Sequence, residues 1–208
     1  AGQAPAYDVP GNVERRSWED FVKKRSIESP DEGHKPKIVV AGAGAIGSLI
    51  GGCLARAEAE VLLIDPWREH IEAMQGGGLR LEEPDGVSTV SVKAIHTSEI
   101  PRLKKIDIIL LSVKSHDTFA MLTLVRPLLA KDGFVVSCQN GINEDLIASL
   151  VGPSATVGCI IHLGARLTGP GHVKRLRRGG RLLLGEHSGG VTERIEALAT
   201  LLSISEAR

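Results

Sequence analysis

The chain has 208 residues, is 42% hydrophobic and 24% charged, and carries 25 basic and 25 acidic side chains. This composition is typical of a soluble globular protein, and the balanced charge disfavours nucleic acid or an anionic membrane as a partner. No apolar run reaches the roughly 18 residues that a membrane-spanning helix needs, and the first residues lack the apolar core of a signal peptide. Three widely spaced cysteines predict neither a disulfide framework nor a metal site and fit a cytoplasmic protein.

Residues 1–35 differ in character from the rest of the chain. They are polar and contain several prolines, and Trp18, Phe21 and Val22 recur at helical spacing after Ser17, a candidate N-cap. This segment is therefore predicted to be an N-terminal extension, partly helical or loosely ordered.

From Lys37 onward, strand-like and helix-like segments alternate. Strands are predicted over 37–41, 60–65, 106–114 and 133–141, with later strands over 155–167, 172–178 and 181–186. Helices are predicted over 45–57, 66–74, 143–150 and 191–202, with a further helix that Ser115 caps and that ends near Ala130. Segments 78–83 and 87–95 flank a Pro-Asp-Gly turn and predict an inserted β-hairpin. Residues 36–208 are therefore predicted to form one Rossmann-like dinucleotide-binding domain, an α/β fold with a doubly wound, mainly parallel sheet.

The segment AGAGAIG, 41–47, has the glycine spacing of a dinucleotide-binding turn. A strand precedes it, a helix follows, and a second strand comes next, which is the context the motif requires. Gly42 permits the tight turn, Gly44 lets the backbone approach a pyrophosphate, and Gly47 lets the helix pack on the strand. Ala43, Ala45 and Ile46 complete the predicted phosphate-binding segment, where free N–H groups begin the helix.

Asp65 ends the second predicted strand, where an acidic side chain can accept both ribose hydroxyls of the adenosine half. A 2′-phosphate would be repelled there, so Asp65 favours NAD over NADP. Arg68 lies nearby and could instead hold a 2′-phosphate. Asp65 could also cap the helix that Pro66 introduces, and both roles can coexist.

Four segments in order resemble the ketopantoate reductase (2-dehydropantoate 2-reductase) family. They are AGAGAIGSLIGGCLA, LLSVKSHDT, VVSCQNGINE, and GPGHV followed by RLLLGE, and the resemblance covers about residues 36–202. It implies NAD(P)H-dependent reduction of a small 2-keto acid to the 2-hydroxy acid, with a role in pantothenate biosynthesis. It also implies that Lys114 and Asn140 lie near the nicotinamide and the substrate. The alternatives are a solvated cation at a strand end for Lys114 and a turn residue for Asn140, since Asn-Gly is a common turn pair.

The resemblance also indicates what this chain lacks. The family's general-acid lysine lies in a C-terminal helical substrate domain, and that domain is absent from this chain, so no catalytic residue is assigned. A homodimer would form through the same domain. Two other interpretations stay open: a non-catalytic dinucleotide-sensing or regulatory domain, and another two-domain dehydrogenase of the opine or hydroxyacyl-CoA type.

Several other residues are candidates for chemistry, but a structural interpretation is favoured for each. His116 is interpreted as a first-turn helix residue, His162 as a satisfied core or edge histidine, and Cys138 as a small buried thiol. A basic cluster around Gly179 and Gly180 predicts an exposed hairpin turn with a solvated face, the alternative being an anion or partner site. Its members are Lys174, Arg175, Arg177, Arg178 and Arg181.

Overall fold

The computed structural model describes residues 36–203 and the two-residue strand Tyr7–Asp8. The helix predicted around Trp18 lies outside the described residues. Helices cover α1 (Ala45–Arg56), α2 (Arg68–Gly77), α3 (Thr118–Val125), α4 (Glu144–Val151) and α5 (Glu193–Ser203).

In the part of the chain that the structure describes, eight strands form the main sheet. Numbered in chain order, they are β1 (Tyr7–Asp8), β2 (Ile38–Ala41), β3 (Val61–Asp65), β6 (Lys93–His96), β7 (Ile106–Leu111), β8 (Leu129–Ser137), β9 (Thr156–Ile161) and β12 (Leu182–Glu186). Their spatial order is β1-β12-β9-β8-β7-β2-β3-β6. The six strands from β9 to β6 are parallel, and β12 and β1 add antiparallel strands at one side. The predicted doubly wound, mainly parallel sheet is confirmed.

The strand order reverses between β2 and β7, because the chain first builds outward from β2 through β3 to β6 and then returns to the other side of β2. Ligands of such sheets bind beyond the carboxyl ends of the strands at this switch point. The fold therefore places a crevice where β2, β7 and β8 end.

Alternating side chains of the central strands supply the core on both faces of the sheet. Val40 and Leu110 belong to the cluster that contains α1, α5 and the buried face of α2, whereas Val39 and Ile109 belong to the cluster that contains α3 and α4. This alternation follows from the two-residue period of a strand. It explains why these strands appear in the sequence as unbroken apolar runs.

A second, smaller sheet was not foreseen. The predicted hairpin forms as β4 (Leu79–Glu83) and β5 (Gly86–Val90), but the chain then leaves it and enters the main sheet as β6. A later hairpin, β10 (Ala165–Gly169) and β11 (His172–Arg175), joins it through parallel pairing of β11 with β4. The order of this sheet is β10-β11-β4-β5.

Two predictions around the helix after Ser115 differ from the structure. The helix expected to reach Ala130 ends at Val125 and passes through a 3₁₀ turn, Arg126–Leu128, because Pro127 cannot continue the hydrogen-bond ladder. Ser115 does not cap that helix, because its hydroxyl donates to the carbonyl of Asn140 at 2.9 Å.

Candidate functional site

A cavity of about 510 Å³ opens at the carboxyl ends of β2, β7 and β8. Most of the residues that the sequence pointed to lie along its wall. They are Gly42, Gly44, Ala45, Ile46, Asp65, Lys114 and Asn140. The remaining two are buried, Ala43 in the turn after β2 and Gly47 in the first turn of α1. The switch point of the sheet thus brings together residues that are up to about a hundred positions apart.

The glycine turn begins where β2 ends, and its first glycine is required by the backbone. Gly42 has a φ of 99°, which an L side chain rarely adopts. A Cβ at this position would lie 2.6 Å from Val113 Cγ1 and 2.8 Å from the Val113 nitrogen. The turn is fixed to the neighbouring strand, since the N–H groups of Gly42 and Ala43 both donate to the Ile64 carbonyl, at 2.9 and 3.0 Å.

The other two glycines have opposite surroundings. A Cβ at Gly47 would lie 2.0 Å from the Gly42 carbonyl oxygen, so this glycine allows α1 to pack directly on the turn. A Cβ at Gly44 would meet nothing within 4 Å. The fold itself therefore does not need glycine at 44, and the open space there belongs to the cavity.

The amino end of α1 faces this space without a side-chain cap. Gly44 is the N-cap residue and has no side chain, and the first turn contains no acidic residue. The first N–H groups of a helix have no partner within the helix and carry partial positive charge. This end of α1 is therefore suited to an anionic group.

Asp65 lies at the end of β3, on the far side of the glycine turn. Its Oδ1 accepts the backbone N–H of Trp67 at 2.9 Å, so the carboxylate does help to begin α2. Burial raises the pKa of Asp65, and the Trp67 N–H and the neighbouring His70 oppose that rise. Asp65 is half-buried and also forms part of the cavity wall.

Lys114 and Asn140 follow β7 and β8 on the opposite side of the cavity. Ser115 fastens the two loops by donating to the Asn140 carbonyl, and the Asn143 amide donates to both groups at 3.2 Å. The side chains of Lys114 and Asn140 are exposed, as a ligand-binding role requires. The turn character of Asn140-Gly141 is also present, because Gly141 has a φ of 99°.

Three residues of this region were missed. Buried Gln139 donates to the Val113 carbonyl and to Thr118 Oγ1, both at 2.8 Å, and so joins the β7 and β8 loops. Ser48 and His70, both fully buried, form hydrogen bonds behind the glycine turn. A signal for His70 existed, because it shares the spacing of Ile71 and Met74 on the buried face of α2.

The other candidates lie in ordinary structural positions. His116 is exposed in the 3₁₀ turn Ser115–Asp117, with Nε2 3.3 Å from Asp117 Oδ2. His162 is exposed just beyond β9, so it is not a core histidine. Cys138 is a buried thiol, as predicted, beside the cavity.

The basic cluster is not a hairpin turn, because 176–181 carries the chain from β11 in the small sheet to β12 in the main sheet. Several of its side chains contact acidic residues of the β4–β5 hairpin. Lys174 pairs with Glu82 at 2.5 Å, Arg175 with Glu83 at 3.8 Å, and Arg178 with Asp85. These ion pairs join β11 and the segment after it to the β4–β5 hairpin.

Within residues 36–203, no group of three or more His, Cys, Asp or Glu side chains is placed to hold a metal ion. No helix in the described part of the chain is long and apolar enough to cross a membrane.

Comparison with known proteins identifies the family. The sequence profile of the family described as ketopantoate reductase PanE/ApbA matches residues 38–189. The 2-dehydropantoate 2-reductase of Pyrococcus abyssi is 37% identical over 173 residues, which are 82% of this chain and 54% of the relative. That of Pyrococcus horikoshii is 40% identical over 161 residues, 77% of this chain and 50% of the relative. The chain thus spans about half the length of these relatives.

Solved structures show the same fold. A PanE/ApbA family ketopantoate reductase from Ralstonia eutropha JMP134 is 33% identical with a TM-score of 0.72, over 82% of this chain and 54% of that one. D-mandelate dehydrogenase, in its ternary structure with NADH and anilino(oxo)acetate, is 33% identical with a TM-score of 0.75, over 81% and 54%. The profile match, the relatives and the shared fold show that this chain belongs to the PanE/ApbA family of ketopantoate reductases and corresponds to its dinucleotide-binding region.

Proposed function

We propose that this chain is the cofactor-binding half of an NAD(P)H-dependent reductase of a small 2-keto acid such as ketopantoate. The observation that carries the proposal is the cavity at the switch point, where an open, uncapped glycine turn faces Lys114 and Asn140. Relatives of about twice the matched length are 2-dehydropantoate 2-reductases, and a structural relative binds NADH with an oxo acid. These similarities support the substrate class.

A dinucleotide fits the residues present. The space in front of Gly44 can admit a pyrophosphate, and the N–H groups at the start of α1 can donate to it. Asp65 can accept the ribose hydroxyls of the adenosine half. When bound, the reduced nicotinamide supplies the hydride for the reaction.

Lys114 and Asn140 have roles that suit the opposite end of the same cavity. A lysine ammonium there attracts the carboxylate of a keto acid, and an asparagine amide donates to a ribose or substrate oxygen. Developing negative charge on a carbonyl oxygen also needs a proton donor or a fixed cation. In this proposal, that donor and the substrate-binding wall belong to the half of the relatives that this chain does not span.

Of the two cofactors, we propose NADH as the preferred one. The half-buried Asp65 carboxylate at the proposed ribose position repels a 2′-phosphate but accepts two hydroxyls. Arg68 is exposed at the start of α2 and is the residue that would counter this preference.

The proposal is tested by fluorescence titration of NADH and NADPH against the chain and against Gly44→Val. We expect the parent to bind and Gly44→Val to lose at least about tenfold in affinity, which corresponds to 1.4 kcal/mol. The matched control is Gly76→Val, since Gly76 on α2 also has open space around it but lies away from the cavity. A parent chain that binds neither cofactor contradicts the function. Equal affinity in a folded Gly44→Val variant contradicts the phosphate role of the turn.

A further inference from the structure

His70 lies on the buried face of α2 and has no exposed surface. Its ring joins two distant parts of the chain. Gly171, at the turn between β10 and β11, donates its backbone N–H to Nδ1 at 2.8 Å, across a separation of 101 residues. On the other side, Nε2 lies 3.1 Å from Ser48 Oγ, and Ser48 Oγ lies 2.6 Å from the Ala43 carbonyl.

The direction of these hydrogen bonds follows from the groups involved. A backbone N–H can only donate, so Nδ1 holds a lone pair and the ring proton is on Nε2. Nε2–H therefore donates to Ser48, and the Ser48 hydroxyl donates to the Ala43 carbonyl, which can only accept. Burial lowers the pKa of His70, which favours the neutral ring that this arrangement needs.

The chain of hydrogen bonds ends in the middle of the glycine turn. Ala43 stands between Gly42 and Gly44, and its N–H is already held by the Ile64 carbonyl. Ser48 holds the carbonyl of the same residue, so the peptide units on both sides of Ala43 are fixed. The orientation of the following unit, which leads to Gly44 and the open space, depends on this bond.

Through Trp67, the His70 ring is also connected to the side of the site where Asp65 lies. The Trp67 ring stacks on it with centroids 5.2 Å apart and planes 13° apart. Trp67 also donates its N–H to Asp65. The buried His70 side chain therefore contacts Ser48, which supports the proposed phosphate end of the cavity, and Trp67, which supports the proposed ribose end.

We propose that His70 is a positioning residue for the dinucleotide, which sets the glycine turn through Ser48 and supports Asp65 through Trp67. The inference rests on the proposed function. An apolar side chain would fill the same volume without the cost of burying a polar ring. The hydrogen bonds that the two ring nitrogens form with Gly171 and Ser48 thus account for a histidine at this buried position.

The test measures affinity for NADH or NADPH, whichever the parent binds more tightly, beside the midpoint of urea unfolding. His70→Leu removes both hydrogen bonds, whereas His70→Gln retains one acceptor and one donor. We expect about tenfold weaker binding for His70→Leu and a loss of no more than about threefold for His70→Gln. The control is Thr156→Val, which removes a buried hydroxyl bonded to the Gly152 carbonyl, far from the cavity; we expect it to lower stability and leave affinity unchanged.

Ser48→Ala gives a second route, because it removes one hydroxyl and leaves His70 in place. We expect a loss of affinity no greater than that of His70→Leu, and a His70→Leu/Ser48→Ala double variant that binds little worse than His70→Leu, because Ser48 acts only along the path that His70 holds. Additive losses, or affinities equal to that of the parent, overturn the role of His70. Equal losses in His70→Gln and His70→Leu overturn it as well. A parent that binds neither cofactor overturns the proposed function itself, and this inference with it.

Discussion

At the scale of single residues, one amino acid type meets three different requirements within six positions. Gly42 satisfies a backbone angle and Gly47 a close approach of helix to turn, but Gly44 satisfies neither. In the proposed function, glycine at 44 leaves room for the pyrophosphate. Variants at the three positions therefore distinguish the stability of the fold from the proposed binding of a dinucleotide.

Gly47→Ala is predicted to destabilise the fold strongly. The new methyl would overlap the Gly42 carbonyl, which is backbone and cannot turn aside, so we expect a loss of at least about 2 kcal/mol in the free energy of unfolding. Gly76→Ala, in an exposed helical position, should instead gain about 0.5–1 kcal/mol. Urea unfolding measures both. Equal stability of the two variants would show that the turn relaxes around the methyl.

Asp65→Ala is predicted to shift cofactor preference. Removing the carboxylate removes both the acceptor for the ribose hydroxyls and the repulsion of a 2′-phosphate. We expect weaker NADH binding, by about tenfold, and unchanged or tighter NADPH binding. Titration of both cofactors against both chains measures the ratio. If the parent already binds NADPH better, the assignment to Asp65 is wrong, and Arg68→Ala becomes the next variant.

The sequence was informative about the cavity wall but not about its support. Gly42, Gly44 and Asp65 stand out because local patterns mark turns and strand ends. His70 and Gln139 act through partners that lie far away in the chain, Gly171 for His70 and Val113 for Gln139. No local pattern encodes such partners, so the structure was needed to find them.

At the scale of elements, β12 and α5 are joined by a charged contact that stabilises one side of the main sheet. Arg194 Nε donates to Glu186 Oε1 at 2.7 Å, and its guanidinium lies 5.0 Å from the centre of the Phe134 ring. Burial alone would raise the pKa of Glu186, but hydrogen bonds from Arg194 and Thr192 outweigh it and hold that pKa below its ordinary value.

This contact predicts how stability depends on pH. Because the folded pKa of Glu186 is depressed, its contribution is present above the unfolded pKa of about 4.3 and is lost as pH falls through the folded value. We expect Glu186→Gln to lower the free energy of unfolding at pH 7 by about 2 kcal/mol and to flatten its decline in acid. Urea unfolding between pH 3 and 7 measures this, with exposed Glu72→Gln as control. An unchanged acid slope in Glu186→Gln would assign the decline to other groups.

The central strands of the main sheet were predictable because a local run of apolar residues marks each of them. The segment 37–41 predicts β2 within one residue, and the strand at 60–65 becomes β3. The small sheet was not predictable, since it depends on β11 pairing with β4 across the chain. The second hairpin strand, predicted over 87–95, is too long for a similar reason. Residues 93–95 belong to β6, which pairs with β3.

At the scale of the whole molecule, this chain is predicted to bind a dinucleotide without reducing ketopantoate at an appreciable rate. Loss of a positioned acid costs roughly 100- to 10,000-fold in rate, and loss of the substrate-orienting wall adds to that. NADH oxidation at 340 nm measures turnover, with the full-length Pyrococcus abyssi reductase as positive control. Rapid turnover by this chain would contradict the division into two halves and make Lys114 or His116 the leading proton donor. Cofactor binding without turnover, retained in a longer form that includes a helical half, would favour a sensing role.

The hydrogen bond between Gly171 and His70 has a kinetic consequence. Most contacts of the glycine turn join residues that are close in the sequence. The hydrogen bond from Gly171 to His70, which supports this turn, instead closes a loop of 101 residues. Closing so long a loop costs chain entropy that must be met before the contact contributes, and such contacts form late. We therefore expect strand pairing around β2 to precede the fixing of the glycine turn. Under the proposed role of His70, the chain would gain its affinity for a nucleotide only after the β10–β11 turn has docked.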